Sequence, residues 1–71
     1  MKLHEFLIFL KEVYGVESIH IGNVCGIKRT NAWNYYVKRS KDNKPIRKDV
    51  LDTINDYIHK TYKGLEDTTV Y

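Results

Sequence analysis

The stretch SIHIGNVCGIKRTNAWNYYV, residues 18–37, decides how this chain folds. It reads as a helix, a turn at Gly26 and a second helix. Gly26 supplies the positive φ that a sharp turn between helices needs, without a Cβ penalty. Gly22, four residues earlier, marks a place where the two helices approach closely, and Ile27 is set to fill the gap between them. Ser18 is the candidate N-cap of the first helix. Local propensity there is poor, because Ile19, Ile21 and Val24 are β-branched and Gly22 is a weak helix former. Residues 16–21 therefore also read as a strand. A helix is preferred because Ile21, Cys25 and Ile27 then fall where two packed helices bury their apolar contacts.

The second helix of the pair is expected from about Arg29 to Arg39. At about 100° per residue, Ala32, Tyr35, Tyr36 and Arg39 share one side, which makes Tyr35 and Tyr36 expected core residues. Thr30, Asn34, Val37 and Lys38 point the opposite way, flanked by Asn31 and Trp33. That outward set holds donors, acceptors, a methyl group and an indole, the kinds of group that read base edges. Lys28 and Arg29 fall at the helix N-terminus, where the macrodipole disfavours cations. A phosphate bound there reverses that penalty. Otherwise Thr30 caps a slightly later start and the two cations are merely exposed.

The spacing of Gly22, Gly26, Ile27 and Ala32, continued by Trp33 and by Lys44, Pro45 and Ile46, resembles the helix-turn-helix of small phage Cro and repressor proteins. The likeness covers about residues 16–58. It implies an all-α, four-helix domain over residues 1–64, with the helix-turn-helix at 18–38 and a short C-terminal tail at 65–71. It further implies a phage-type transcriptional regulator that binds double-stranded DNA sequence-specifically, with the second helix of the pair in the major groove. In that reading Arg29, Thr30, Trp33 and Asn34 contact bases, and the Asn34 amide suits adenine. Lys28, Lys38, Lys41 and Lys44 hold phosphates and set register. A homodimer on a pseudo-palindromic operator is the usual arrangement, and the last helix and the tail are the candidate dimer surfaces.

Two positions depart from the family pattern. Lys28 stands where a capping Ser or Thr is usual, and Ala32 where a larger aliphatic residue is usual. They keep open an alternative, an antirepressor or modulator that docks on a phage repressor protein. Trp33, Val37 and Phe9 are its candidate anchors, since aromatic residues dominate protein hot spots.

The flanking segments follow simpler rules. Leu3, Phe6, Leu7, Leu10, Val13 and Tyr14 mark one buried stripe of a helix over 3–14, ended by a left-handed cap at Gly15. Ile8 and Phe9 lie off its centre, so either the core wraps widely or Phe9 is exposed. Residues 40–46 form a polar loop in which Pro45 holds Lys44 extended. The last helix is expected from Arg47 to Tyr62, with Val50, Leu51, Ile54, Tyr57, Ile58 and Tyr62 on its apolar face, and Gly64 stops it. The tail is expected to be frayed, or to pair as a strand with another chain.

Seventy-one residues, 42% hydrophobic, allow one domain with one small core. Cys25 is the only cysteine, so there is no intrachain disulfide and no cysteine pair for zinc; it is expected as a small core residue. The apolar run at 6–10 is too short for a membrane span, so a cytoplasmic protein is expected. His4, His20 and His59 lack ligand spacing, and no nucleophile or acid–base pair stands out. Neither enzymatic activity, a metal, another cofactor nor a small-molecule ligand is expected. Net charge is +3, but residues 28–48 hold Lys28, Arg29, Lys38, Arg39, Lys41, Lys44, Arg47 and Lys48 against Asp42 alone, a balance of +7. The remainder of the chain stands at −4, so one side of a small domain is set to attract a polyanion.

Overall fold

A computed structural model describes residues 1–71 as four helices without a strand: α1 (Leu3–Tyr14), α2 (Ser18–Val24), α3 (Thr30–Lys41) and α4 (Lys48–Thr61). No helix is long and apolar enough to cross a membrane.

In α1 the stripe Leu3, Phe6, Leu7 and Leu10 is buried. Val13 and Tyr14, expected on that stripe, are exposed, because the helix ends there and the chain turns away at Gly15 (φ 68°). The Gly15 and Val16 N–H groups close the last turn onto Lys11 and Leu10 carbonyls, and Val16 folds back against the core. Phe9 is half-buried and sits between Phe6 and Tyr14, with ring centroids 6.1 Å from each, so the core extends to Phe9 while Ile8 stays exposed.

The turn from α2 to α3 is closed by backbone bonds from Cys25 to Ile21, Gly26 to Asn23 and Ile27 to Gly22. Gly26 takes φ 84°, and Ile27 packs on the core. Ser18 is not a cap: Glu17 precedes the helix, and the Ser18 Oγ instead accepts the Trp33 Nε1–H at 2.9 Å. At the other end of α3, Ser40 is buried and its Oγ accepts the His4 backbone N–H at 3.0 Å, which pins the start of α1 to the end of α3.

In α4, Ile54 and Ile58 are fully buried, with Val50, Leu51, Tyr57 and Tyr62 packed around them. The tail corrects the expectation of fraying. Leu65 and Val70 are buried in the core. Asn55 donates from Nδ2 to the Val70 carbonyl (3.0 Å) and accepts the Val70 N–H at Oδ1 (2.7 Å). Leu3 N–H to Tyr71 O (2.9 Å) and Tyr71 N–H to Met1 O (3.1 Å) fasten the tail to the start of the chain. It pairs within its own chain because burying two apolar side chains outweighs the entropy of ordering a short segment.

Candidate nucleic-acid interface

The facing of α3 differs from the sequence expectation by about one residue, or about 100° of rotation. Trp33 is fully buried, and Tyr36, Val37 and Ser40 continue its stripe at the i+3, i+4 and i+7 spacing. Trp33 is therefore no base contact, and Val37 does not point outward. Gly22 is the physical reason: a Cβ there would stand 2.8 Å from Cγ and Cδ2 of the indole, so the bare glycine backbone makes the slot the ring fills. Ser18 satisfies the indole N–H at the edge of that slot. With Trp33 buried, Phe9 half-buried and Val37 packed on the core, the three anchors of the protein-directed alternative do not form one exposed patch.

The same rotation brings Tyr35 out of the core; it is 56% exposed. Thr30, Asn31, Asn34, Tyr35, Lys38 and Lys41 now form the solvent face of the helix, with Arg29 exposed just before it. Thr30, Asn34 and Lys38 thus remain outward as expected, because the rotation moves the centre of the face without reversing it. Asn31 and Tyr35 are the additions. The sequence signal for them was the apolar i, i+3, i+4 set of Trp33, Tyr36 and Val37, opposite a glycine.

Neither Lys28 nor Thr30 caps α3. Arg29 occupies the N-cap position with extended backbone (φ −84°, ψ 119°) and no side-chain cap bond. The first turn therefore offers its backbone N–H groups to an open hollow lined by Arg29, Thr30, Asn31 and Ala32. At the far end, Asn43 takes φ 57°, and the Lys44 N–H closes on the Arg39 carbonyl at 2.8 Å. Arg39 ties the exit loop to the helix: its Nε donates to the Pro45 carbonyl at 2.7 Å, and one terminal nitrogen reaches the Tyr35 hydroxyl at 3.4 Å. The guanidinium carbon lies 5.6 Å from the centroid of the Tyr35 ring.

The eight cations of residues 28–48 are not equivalent. Lys38 pairs with Asp42 (3.3 Å), Arg47 with Asp49 (2.7 Å) and Lys48 with Asp52 (2.8 Å). Arg39 is engaged with Pro45 and Tyr35. Lys28, Arg29, Lys41 and Lys44 are exposed and have no acidic partner. Two of them lie before α3 and two at or after its end, so uncompensated charge brackets a helix about 18 Å long.

Cys25 packs half-buried behind this surface, and burial pushes its thiol up to about 11. It is protonated at neutral pH and is a poor nucleophile there. No group of three His, Cys, Asp or Glu side chains is arranged to hold a metal ion. No protein-family model, curated protein or solved structure matches this chain.

Proposed function

We propose that this protein is a sequence-specific, double-stranded DNA-binding transcriptional regulator of the small phage Cro/repressor-like helix-turn-helix type. The α2–turn–α3 unit is the helix-turn-helix, and the solvent face of α3 enters the major groove. One observation carries the reading: a helix face of amides, hydroxyls and one aromatic ring, bracketed at both ends by cations without partners. A major groove is about 12 Å wide, so a helix about 18 Å long carries its terminal cations to the phosphates on either side.

Thr30, Asn31, Asn34 and Tyr35 are the base-side candidates in this proposal, and Arg29, at the open N-terminus of the helix, is placed on a phosphate. Lys28, Lys41 and Lys44 hold phosphates, joined by Lys38, whose exposed pair with Asp42 is worth only about 0.3–0.5 kcal/mol and is readily exchanged. One copy covers one half-site, so two copies on a pseudo-palindrome are expected to form the operator complex. The alternative, docking on a repressor protein through Trp33, Val37 and Phe9, loses Trp33 as an exposed anchor.

The test is the salt dependence of binding to random-sequence duplex, followed by fluorescence anisotropy. Five phosphate contacts predict that log K falls against log salt with a slope of about −4.5. Lys41→Ala combined with Lys44→Ala should reduce that slope by about 1.8. Binding that is flat in salt, or weaker than about 10⁻⁴ M at physiological salt, sinks the proposal.

A further inference from the structure

We infer that the half-site read by α3 is built on adjacent A·T pairs, with Asn31 and Asn34 addressing adenine and Tyr35 packing on a thymine methyl group. The inference rests on the duplex-DNA reading above and adds what sequence is read.

The chemistry of the face selects between base pairs. Guanine is read in the major groove by a bidentate Arg or Lys, adenine by a bidentate Asn or Gln, and thymine through its methyl group by an apolar contact. Between its flanking cations the face presents two exposed amides and an exposed ring. Lys38, on the face, is exposed and is assigned to a phosphate in exchange for its pair with Asp42. The Arg39 guanidinium donates to the Pro45 carbonyl at 2.7 Å and lies against Tyr35. Arg29 remains, but it sits at the N-cap, where backbone N–H groups open beside it and a phosphate is the better partner.

Spacing agrees with this assignment. Asn31 and Asn34 are about 4.5 Å apart along the helix axis and Tyr35 is about 6 Å from Asn31, against about 3.4 Å between stacked bases. The three side chains thus address neighbouring pairs and not one pair. Tyr35 is also held in place. Its hydroxyl meets Arg39, its ring packs edge-on against Tyr36 with centroids 5.5 Å apart, and the guanidinium covers it from the loop side. A side chain restrained before binding loses less entropy when a base docks on it.

The experiment enriches a duplex pool with a randomised core on the full chain and sequences what is retained. Adjacent A·T pairs are expected. In the enriched site, thymine is then replaced by deoxyuridine, which removes only the methyl group. Wild type should lose about fourfold in affinity, the factor one buried methyl group is worth. Tyr35→Ala should bind both duplexes equally, and Tyr35→Phe should keep the discrimination, because the ring makes the contact. Asn31→Ala should lose preference at one A·T position of the enriched site. Enrichment of G·C pairs, no enrichment, or indifference of wild type to deoxyuridine overturns the inference while leaving duplex binding in place. No retention of any duplex overturns the proposed function and this inference together.

Discussion

A glycine and a tryptophan eleven positions apart in the chain set the orientation of α3. The backbone of Gly22 lies against the Trp33 ring so closely that an added Cβ would be 2.8 Å from two ring carbons. The ring is fully buried and its N–H is held by Ser18, so it has no room to swing aside. Gly22→Ala should therefore destabilise the fold by about 1–3 kcal/mol, the usual cost of overpacking a core. Chemical denaturation monitored by Trp33 fluorescence measures it, and an unchanged midpoint would show that the slot has room for a methyl group. The close approach at Gly22 was legible in the sequence, but its partner was not. Trp33 looks like a ligand contact when the helix is phased on Ala32 and Tyr36, and like a core residue when phased on Tyr36 and Val37. The volume of the indole decides for the second phase, since burying it gains far more than burying an alanine. Cys25 allows a separate check at this scale. Its thiol is raised from an ordinary 9.0 to about 11 by burial, so the folded state holds its proton longer than the unfolded state does. The resulting stabilisation is complete below pH 9 and is lost as pH rises towards 11. Wild type should lose stability over that window more steeply than Cys25→Ala, and parallel pH profiles would contradict the assignment.

Element boundaries were legible where chain chemistry is punctuated. The first helix ends at Gly15, and the last lies between Pro45 and Gly64; both were recoverable because a left-handed residue or a missing N–H leaves little choice. The end of α3 was less so. It runs past Arg39 to Lys41 because Asn43 adopts φ 57° and the closing bonds come from Asn43 and Lys44. An asparagine tolerates that conformation but does not announce it as glycine does. Arg39 then acts as a strut between the helix and its exit loop, a role that its place beside Ala32, Tyr35 and Tyr36 in the sequence reading does not disclose. Arg39→Ala should leave the four helices intact, cost about 1 kcal/mol for the lost bond to the Pro45 carbonyl, and raise amide hydrogen exchange in residues 42–47 selectively. Uniform exchange changes across all helices, or none in the loop, would remove the strut assignment. The prediction does not depend on what the protein binds.

At the scale of the whole molecule, charge and closure are set by different residues. Four unpaired cations of residues 28–48 bracket α3, while the tail closes against α4 and the first residues of α1, with Tyr71 beside Lys44 of the exit loop. The charge asymmetry was legible by counting, because exposed cations need no tertiary information. The closure was not. A segment ending in Thr-Thr-Val-Tyr has no periodicity of its own, and its order comes from Asn55, fifteen residues before Val70, matching one peptide group with both halves of its amide. That match makes a quantitative prediction. Val70 is only 1% exposed, so Asn55→Ala strands a buried N–H and a buried carbonyl that water does not reach easily. At about 1–3 kcal/mol for each orphaned group, the variant should lose about 2–6 kcal/mol. A chain of this size has about 4–11 kcal/mol of stability in total, so such a loss takes a large share of it. Deleting residues 65–71 should be at least as damaging, because it also uncovers the contacts of Leu65 and Val70. Asn55→Gln separates the two explanations: it keeps the amide chemistry but displaces it by one methylene, and should recover part of the loss only if hydrogen bonding to Val70 is what holds the tail. Thermal unfolding of the three variants beside wild type is the measurement. A truncated chain that unfolds at the wild-type temperature would show the tail to be an ornament on a core that α1 to α4 complete alone.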